Sequence, residues 1–453
     1  MKNSFFGAGG PRILTFALMS LAMTVISAPT ALAQAKISPD RTLIKLGPIP
    51  AAAQFDSTGH LDVDAATRAY LDTVPADKRA ASNKYFEGGY WIMLWSALYT
   101  VVIALLLLFT GVSKRMRDLA VRLTRYKWIQ AWIYFAEFIL TSTILSLPWN
   151  IYVGFYREHV YNQSHQPFAG WLREQMIGPL VILVFGAIAF ATVYTVIRRL
   201  LDTWHIWGSV LVVTFQMIAI MIAPVYIAPL FNTYTPLSDP EVTIPVLKMA
   251  HANGIKVDKL YEVNASKQTT QISANVSGLF DTTRINVNDN LLHQASIEEI
   301  EDGLGHEMGH YVLNHIMKML CQFALLILIG FCLLRVWLQG MQERWGDKWG
   351  TTGAADPAMF PAVVLAYTVM MLFLTPVLNN ITRTMECEAD MYGLNAAREP
   401  DGRAQVALKL GQYRKLEPGP IEEFLFYDHP SGYARIHAAM QWKSENSHTT
   451  TGY

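Results

Sequence analysis

The sequence has few charged residues. Only 16% of its 453 residues are Asp, Glu, Lys or Arg, whereas soluble proteins carry about 25%. The shortage falls in long apolar runs, and a run of about 20 apolar residues is long enough to cross a bilayer. The 36 basic and 36 acidic residues cancel, so the chain lacks the basic excess of a nucleic-acid binder. The composition predicts an integral membrane protein surrounded by lipid, with no nucleic-acid partner.

Cysteine is also scarce. The chain holds three, Cys321, Cys332 and Cys387, and the first two lie in one apolar run. A disulfide framework needs several cysteines in an exposed, loop-rich chain, so this pattern argues against one.

Residues 1–33 have the pattern of a secretory signal peptide. Lys2 and Arg12 make a basic start, an apolar stretch follows at 13–28, and Ala31-Leu32-Ala33 supplies a small-residue cleavage site. An uncleaved first membrane span is the alternative. Under both interpretations, the chain that follows begins outside the cytoplasm.

The rest of the chain alternates between polar and apolar segments. We expect an extracytoplasmic segment at 34–88 and then four spans within 89–230, near 90–112, 131–153, 176–197 and 206–230. A small α+β domain is expected at 231–316, with strands around 260–263 and 284–288. Two spans within 317–379, near 317–339 and 359–379, precede the C-terminal part of that domain at 380–453.

The most informative motif is His306-Glu307-Met308-Gly309-His310. On a helix, which Ser296 is placed to cap, His306 and His310 project from one face at i and i+4. Two imidazoles at this spacing can hold Zn²⁺, and Glu307 can serve as general base for a water molecule. The motif therefore predicts one zinc ion per chain.

A catalytic zinc site takes a third protein ligand. The best candidate is Glu386, because Asp390 follows one helical turn later and can accept a hydrogen bond from the far nitrogen of a ligand histidine. Glu388 is the rival ligand, but it points to another helix face and has no acid one turn on. His315 lies five residues after His310, which takes it off the ligand face of a continuous helix, so we assign it a structural role.

The segment from His429 to Arg435 reads His-Pro-Ser-Gly-Tyr-Ala-Arg. Pro and Gly are typical of a surface turn. The alternative is that His429 and Arg435 act on the negative charge that develops on a substrate carbonyl.

Several rare motifs occur together and in one order. The chain resembles the integral-membrane zinc metalloproteases of the CAAX prenyl endopeptidase type over most of 90–440. The resemblance rests on Leu147-Pro148-Trp149-Asn150-Ile151-Tyr152, Pro229 to Leu237, Asn264-Ala265-Ser266-Lys267, the histidine motif, Arg383-x-x-Glu386-x-x-Ala389-Asp390, and His429-Pro430 with Arg435.

The resemblance implies a mainly α fold, a polytopic helical membrane barrel around a chamber with the zinc site facing inward. It implies His306, His310 and Glu386 as ligands and Glu307 as base, with His429 and Arg435 near the substrate carbonyl. In this family a stretch with Asn-Ala and a later Gly pairs with the substrate as an added strand. The matching stretch here is 273–278, and Asn275 is its candidate substrate-binding residue. This stretch departs from the family pattern, because the Asn-Ala order is inverted and it is one residue shorter.

The function expected is hydrolysis of peptide bonds in a peptide or protein substrate by a membrane-embedded zinc endopeptidase. One alternative is a quality-control protease of the heat-shock membrane type, which shares the zinc motifs and acts on misfolded proteins. Another is a transporter or scaffold with an inert site, which the intact set of predicted ligands argues against. The sequence does not predict an oligomeric state.

Charge in the short loops predicts the orientation in a bacterial-type inner membrane. Basic loops stay in the cytoplasm, and the loops after the first and third mature spans hold Lys114, Arg115, Arg117, Arg122, Arg125, Lys127, Arg198 and Arg199. Counting spans from these loops, or from the signal-like start, places the zinc site on the periplasmic face.

Overall fold

The computed structural model describes residues 44–277 and 283–446. The signal-like segment 1–33 lies outside the described residues. The helices run in the order α1 Val63–Asp72, α2 Ala76–Phe109, α3 Val112–Leu123, α4 Lys127–Val160, α5 Phe168–Arg199, α6 Trp204–Phe231, α7 Pro240–Ala252, α8 Asp289–Gln294, α9 Ile297–Val312, α10 His315–Trp349, α11 Phe360–Ala397, α12 Pro400–Leu410, α13 Pro420–Phe426 and α14 Gly432–Glu445.

In the described part of the chain, six helices are long and apolar enough to cross a bilayer: α2, α4, α5, α6, α10 and α11. They match the six apolar runs read from the sequence, but they are longer. Helix α2 begins at Ala76, and α11 continues beyond the apolar run to Ala397. A helix does not stop where it leaves the hydrocarbon, because its backbone hydrogen bonds stay within the helix in both solvents.

Three of these helices contain one wide π-type turn, at Tyr152–Tyr156, Ile182–Gly186 and Ala223–Ile227. A proline precedes or lies in each: Pro148, Pro179 and Pro224. Proline cannot donate a backbone hydrogen bond and its ring crowds the preceding turn, so the helix widens locally instead of breaking.

A four-stranded sheet lies between α6 and α9, with β1 Tyr234–Pro236, β2 Leu260–Val263, β3 Ala274–Ser277 and β4 Arg284–Asn288 in the order β1-β2-β4-β3. The β2 and β4 strands pair in parallel, and the other pairs are antiparallel. Both strands predicted from alternating polarity are present. One face of the sheet is buried through Leu260, Ile285 and Val287, which share a core with residues of α9.

The N-terminal segment packs on the C-terminal one. Helix α1 contacts α12 and α14, and Tyr70 and Leu71 of α1 join a buried cluster with Ile436 and Met440 of α14. At the far end of the helix bundle, Arg117 forms an ion pair with Asp356. The segment before the first described span and the segment after the last therefore lie on one side of the bundle, as an even number of spans requires.

Candidate active site

Helix α9 carries the histidine motif, and its start is fixed by the sequence. The Ser296 side chain accepts from the backbone N–H of Glu299, and the Glu299 carboxylate accepts from the backbone N–H of Ser296. This capping box satisfies amide groups that have no partner inside the helix. Ile300, Leu304 and Met308 are fully buried in the cluster shared with the sheet. The 3.6-residue period then turns His306 and His310 toward α11.

Small residues allow α9 and α11 to approach closely. A Cβ atom on Gly305 would lie 3.2 Å from both the Cα and the carbonyl oxygen of Gly393. A Cβ atom on Gly309 would lie 3.2 Å from the Cα of Ala389. The absence of larger side chains at this contact brings the carboxylates of α11 within reach of the histidines of α9.

Three side chains that can donate an electron pair to a metal ion converge between the two helices. This donor set consists of His306, His310 and Glu386. His306 Nε2 and His310 Nε2 are 3.1 Å apart, and each lies 3.3 Å from a carboxylate oxygen of Glu386. Zinc–ligand bonds of about 2.0–2.1 Å in a tetrahedron imply ligand atoms about 3.3 Å apart. The donor set and its spacing therefore fit Zn²⁺, with a fourth position left for a small molecule.

The far nitrogen of His306 is held by a carboxylate. Asp390 lies one turn after Glu386 on α11, and its Oδ1 is 2.7 Å from His306 Nδ1. Burial lowers the pKa of His306 to about 3, so the ring is neutral at pH 7. A neutral imidazole that donates from Nδ1 presents the lone pair of Nε2 to a metal ion.

Arg403 on α12 connects two buried carboxylates. It donates to Asp302 over 2.9 Å and to Asp390 over 2.8 Å. Burial raises the pKa of Asp302 to about 6, against the opposing effect of the Arg403 charge. This pairing joins α9, α11 and α12 behind the donor set.

Glu307 lies beside the three donors. Its Oε1 is 3.9 Å from His306 Nε2, the nitrogen that faces the donor cluster. Its side chain is more exposed than that of Glu386, at 15% against none. A carboxylate in this place can reach a water molecule at the fourth position.

His429 and Arg435 reach the same carboxylate from α14 and the turn before it. His429 Nε2 and an Arg435 guanidinium nitrogen each lie 3.3 Å from Glu386 Oε2. Arg435 Nε also lies 2.9 Å from Asp390 Oδ2. Residues more than a hundred positions apart in the chain therefore meet at one buried site.

Two family models match the chain. Residues 236–443 match peptidase family M48, and residues 63–233 match the CAAX prenyl protease N-terminal region of five membrane helices. Residues 236–443 therefore belong to peptidase family M48. The resemblance to membrane metalloproteases of the CAAX prenyl protease type is confirmed, and the chain is a membrane metallopeptidase.

Similar proteins agree with this family assignment. The uncharacterized metalloprotease YhfN of Bacillus subtilis is 29% identical over 75% of this chain and 80% of its own length. CAAX prenyl protease 1 of Saccharomyces cerevisiae is 27% identical over 67% of this chain and 70% of its own length. The crystal structure of S. mikatae Ste24p matches 82% of this chain and 90% of its own with a TM-score of 0.69 at 21% identity. The predicted helical membrane barrel with a small sheet is thus confirmed as the fold of this M48 member.

Asn275 lies on β3, directly opposite Asn286 of β4. Its side-chain oxygen accepts from Asn286 Nδ2 over 2.8 Å, and the same nitrogen donates to Ser277 over 2.9 Å. In the described part of the sheet, no strand pairs with the other edge of β3. Strand β3 also contacts α9, the helix that carries the histidine motif.

The spacing after His310 predicts a structural role for His315, but the His315 ring lies against a predicted ligand. Its Nδ1 is 2.8 Å from His310 Nδ1. Only in one continuous helix would the five-residue spacing carry His315 away from the ligand face. Helix α9 instead ends at Val312, Asn314 adopts the left-handed conformation at φ 55°, and His315 starts α10. Asparagine is one of the few residues that enter this conformation readily, so Asn314 was the available signal for the helix end.

Proposed function

We propose that this M48 member is a membrane-embedded zinc endopeptidase with His306, His310 and Glu386 as metal ligands. The observation that carries the proposal is the convergence of these three donors at separations that suit a tetrahedral site, with Glu307 beside them. Zinc in such a site polarises a carbonyl group and lowers the pKa of water.

Glu307 is the general base in this proposal. Its carboxylate takes a proton from the water molecule that attacks the scissile carbonyl carbon and then delivers it to the departing amine. Its position beside the donors, with Oε1 3.9 Å from His306 Nε2, gives it access to both groups. Burial keeps His306 neutral, and the hydrogen bond to Asp390 holds its ring orientation.

His429 and Arg435 are proposed to act on the carbonyl oxygen as it gains negative charge. Both approach the donor set from the side of Glu386. The Arg435 guanidinium is 7% exposed and held by two carboxylates, so it is preorganised before substrate binds. A fixed positive charge in a site that excludes water stabilises developing negative charge strongly.

The edge of β3 is proposed to bind the substrate backbone as an added strand. An unpaired edge offers a row of backbone donors and acceptors. Asn275 is placed there by its cross-strand bond with Asn286. Such binding reads main chain more than side chains, which suits an endopeptidase of broad sequence preference.

The zinc site is proposed to face the periplasm of a bacterial-type inner membrane. The segment that follows the signal-like start packs on the C-terminal helices, so both lie on the side of the site. The opposite end of the bundle carries the basic loop that includes Arg117, and such loops stay in the cytoplasm. Exported or membrane proteins, including misfolded ones, are then the expected substrates.

Alkaline phosphatase fusions test this orientation. Phosphatase is active only outside the cytoplasm, so a fusion after Tyr453 should be active and a fusion near Arg117 inactive. Activity at Arg117 together with an inactive fusion at Tyr453 would place the site in the cytosol.

The catalytic proposal is tested with Glu307→Gln and a mixed peptide library. The purified wild-type protein should cut internal peptide bonds, identified by mass spectrometry. The variant should hold the same amount of zinc and cut none, because it loses the base and keeps all three ligands. Glu301→Gln on the same helix is the matched control and should cut normally. Cleavage by Glu307→Gln at the wild-type rate would remove Glu307 from the mechanism.

A further inference from the structure

In both His306 and His310, Nδ1 is the ring nitrogen that faces away from the donor cluster, and the two Nδ1 atoms have different partners. His306 Nδ1 meets the carboxylate of Asp390 directly. His310 Nδ1 meets a second imidazole, His315 Nδ1, over 2.8 Å. His315 Nε2 in turn lies 2.9 Å from Glu388 Oε2. Each ligand histidine is thus connected to a carboxylate, one directly and one through an intervening ring.

When His310 and His315 are both neutral, the hydrogen bonds from His310 through His315 to Glu388 allow one order of donors. A carboxylate only accepts, so His315 donates to Glu388 from Nε2. A neutral imidazole has one donor and one acceptor nitrogen, so His315 Nδ1 accepts from His310 Nδ1. His310 then presents the lone pair of Nε2 to the donor cluster, which is the tautomer that can bind a metal ion.

The residues that form this series of hydrogen bonds have positions fixed by the fold. His315 is 1% exposed and begins α10 directly after the left-handed Asn314, so its ring is fixed by packing and by the bend between two helices. Glu388 projects from α11, and its carboxylate also pairs with Lys318 over 2.9 Å. Three helices therefore set the orientation of one imidazole.

We propose that His315 and Glu388 are positioning residues that fix the tautomer and orientation of His310 for metal binding. The proposal rests on the proposed zinc ligation by His310 and adds two residues to it. It also gives Glu388, the rival ligand in the sequence, a different role on the same site. Groups that hydrogen-bond a metal-bound histidine in this way typically contribute about 10- to 100-fold to metal affinity.

The test is zinc affinity by chelator competition, with the absorption spectrum of the Co²⁺-substituted protein as a second readout. His315→Phe keeps a ring of similar size but no hydrogen bond, and it should raise the zinc Kd by about 10- to 100-fold and shift the cobalt d–d bands. Glu388→Ala should raise the Kd by about tenfold, whereas Glu388→Gln, which keeps an acceptor oxygen, should restore much of the affinity.

His293→Phe is the matched control. His293 also bonds through Nδ1, over 2.6 Å to the carbonyl oxygen of Asp289, but it lies outside the site, so its Kd and cobalt spectrum should match the wild type. Glu388 is half-exposed, so we expect its variants to fold. They test the positioning proposal by themselves if His315→Phe does not fold. Wild-type zinc affinity and a wild-type cobalt spectrum in Glu388→Ala would overturn the positioning role of His315 and Glu388 while leaving the zinc proposal intact. Failure of the wild-type protein to bind zinc would overturn both.

Discussion

Arg403 and Arg435 are the two cations buried beside the candidate metal site. They face three buried carboxylates, those of Asp302, Glu386 and Asp390. Burying unpaired charge is costly, and two guanidiniums leave the cluster with more negative than positive groups. A divalent cation at the donor set supplies the missing positive charge.

Arg435 is expected to contribute to turnover more than to substrate binding. Arg435→Ala removes the fixed charge beside the substrate carbonyl, and at equal zinc content kcat should fall by about 100- to 1,000-fold with little change in KM. Steady-state kinetics on a defined peptide measure both constants. Arg68→Ala, in the exposed pair with Glu417, is the control. A rise in KM alone would make Arg435 a substrate-binding residue.

The sequence predicted those site residues whose geometry follows from a single helix. His306 with His310 and Glu386 with Asp390 each stand one turn apart on α9 or α11, and the structure brings the two pairs together. Arg403 and His315 were not predicted. The position of Arg403 depends on how α12 packs against α9, and that of His315 depends on the helix end at Asn314, so no spacing rule within one helix reaches either residue.

At the scale of elements, the site depends on the contact between α9 and α11. Gly393 is its tightest point, because a Cβ atom there would lie 2.8 Å from the backbone nitrogen of His306 and 2.6 Å from the Arg403 guanidinium. The backbone of α9 can give way only by moving the ligand histidines. Packing of glycine against glycine thus sets the metal geometry.

Gly393→Ala should destabilise the protein by about 1–3 kcal/mol and weaken zinc binding, because the added methyl group separates the ligand-bearing helices. Gly303→Ala is the matched control on α9. A Cβ atom there meets nothing within 4 Å, so alanine should stabilise the helix by about 0.5–1 kcal/mol. Thermal unfolding and zinc titration measure both effects. Equal behaviour of the two variants would show that the close contact does not control the site.

The elements were predictable where one pattern decides them. The six apolar runs correspond to six long helices, and the segments of alternating polarity correspond to β2 and β4. The polar extension of α11 to Ala397 was not predicted as part of a span, because hydropathy measures where a helix enters lipid and not where its backbone bonds end. Strand β1, three residues ending at Pro236, carries too short a pattern to be recognised.

At the scale of the whole molecule, a buried charge network attaches the N-terminal segment to the C-terminal helices. Lys443 of α14 donates to Asp401 over 2.6 Å and to the carbonyl oxygen of Ala53 over 2.8 Å. Asp401 also accepts from Tyr70 of α1 over 2.7 Å. The residues before the first described span are therefore part of the folded domain that carries the site.

Lys443→Met should release this segment. It removes the buried cation and leaves the partly buried Asp401 unpaired by charge, and breaking a buried ion pair typically costs about 3–5 kcal/mol. Limited proteolysis should then cut within 44–75, while zinc affinity stays near the wild-type value because the network lies outside the donor set. Arg68→Met breaks an exposed pair, which contributes about 0–1 kcal/mol, and should leave the segment resistant. Resistance in Lys443→Met would show that apolar packing alone holds the segment.

The central claim is that His306, His310 and Glu386 hold one zinc ion, and metal analysis of the purified protein tests it most directly. The wild-type protein and Glu388→Ala should each contain one zinc per chain at saturating zinc, and Glu386→Ala should contain none after the same dialysis. Zinc retained in Glu386→Ala and lost in Glu388→Ala would move the third ligand. A wild-type protein without zinc would contradict the account.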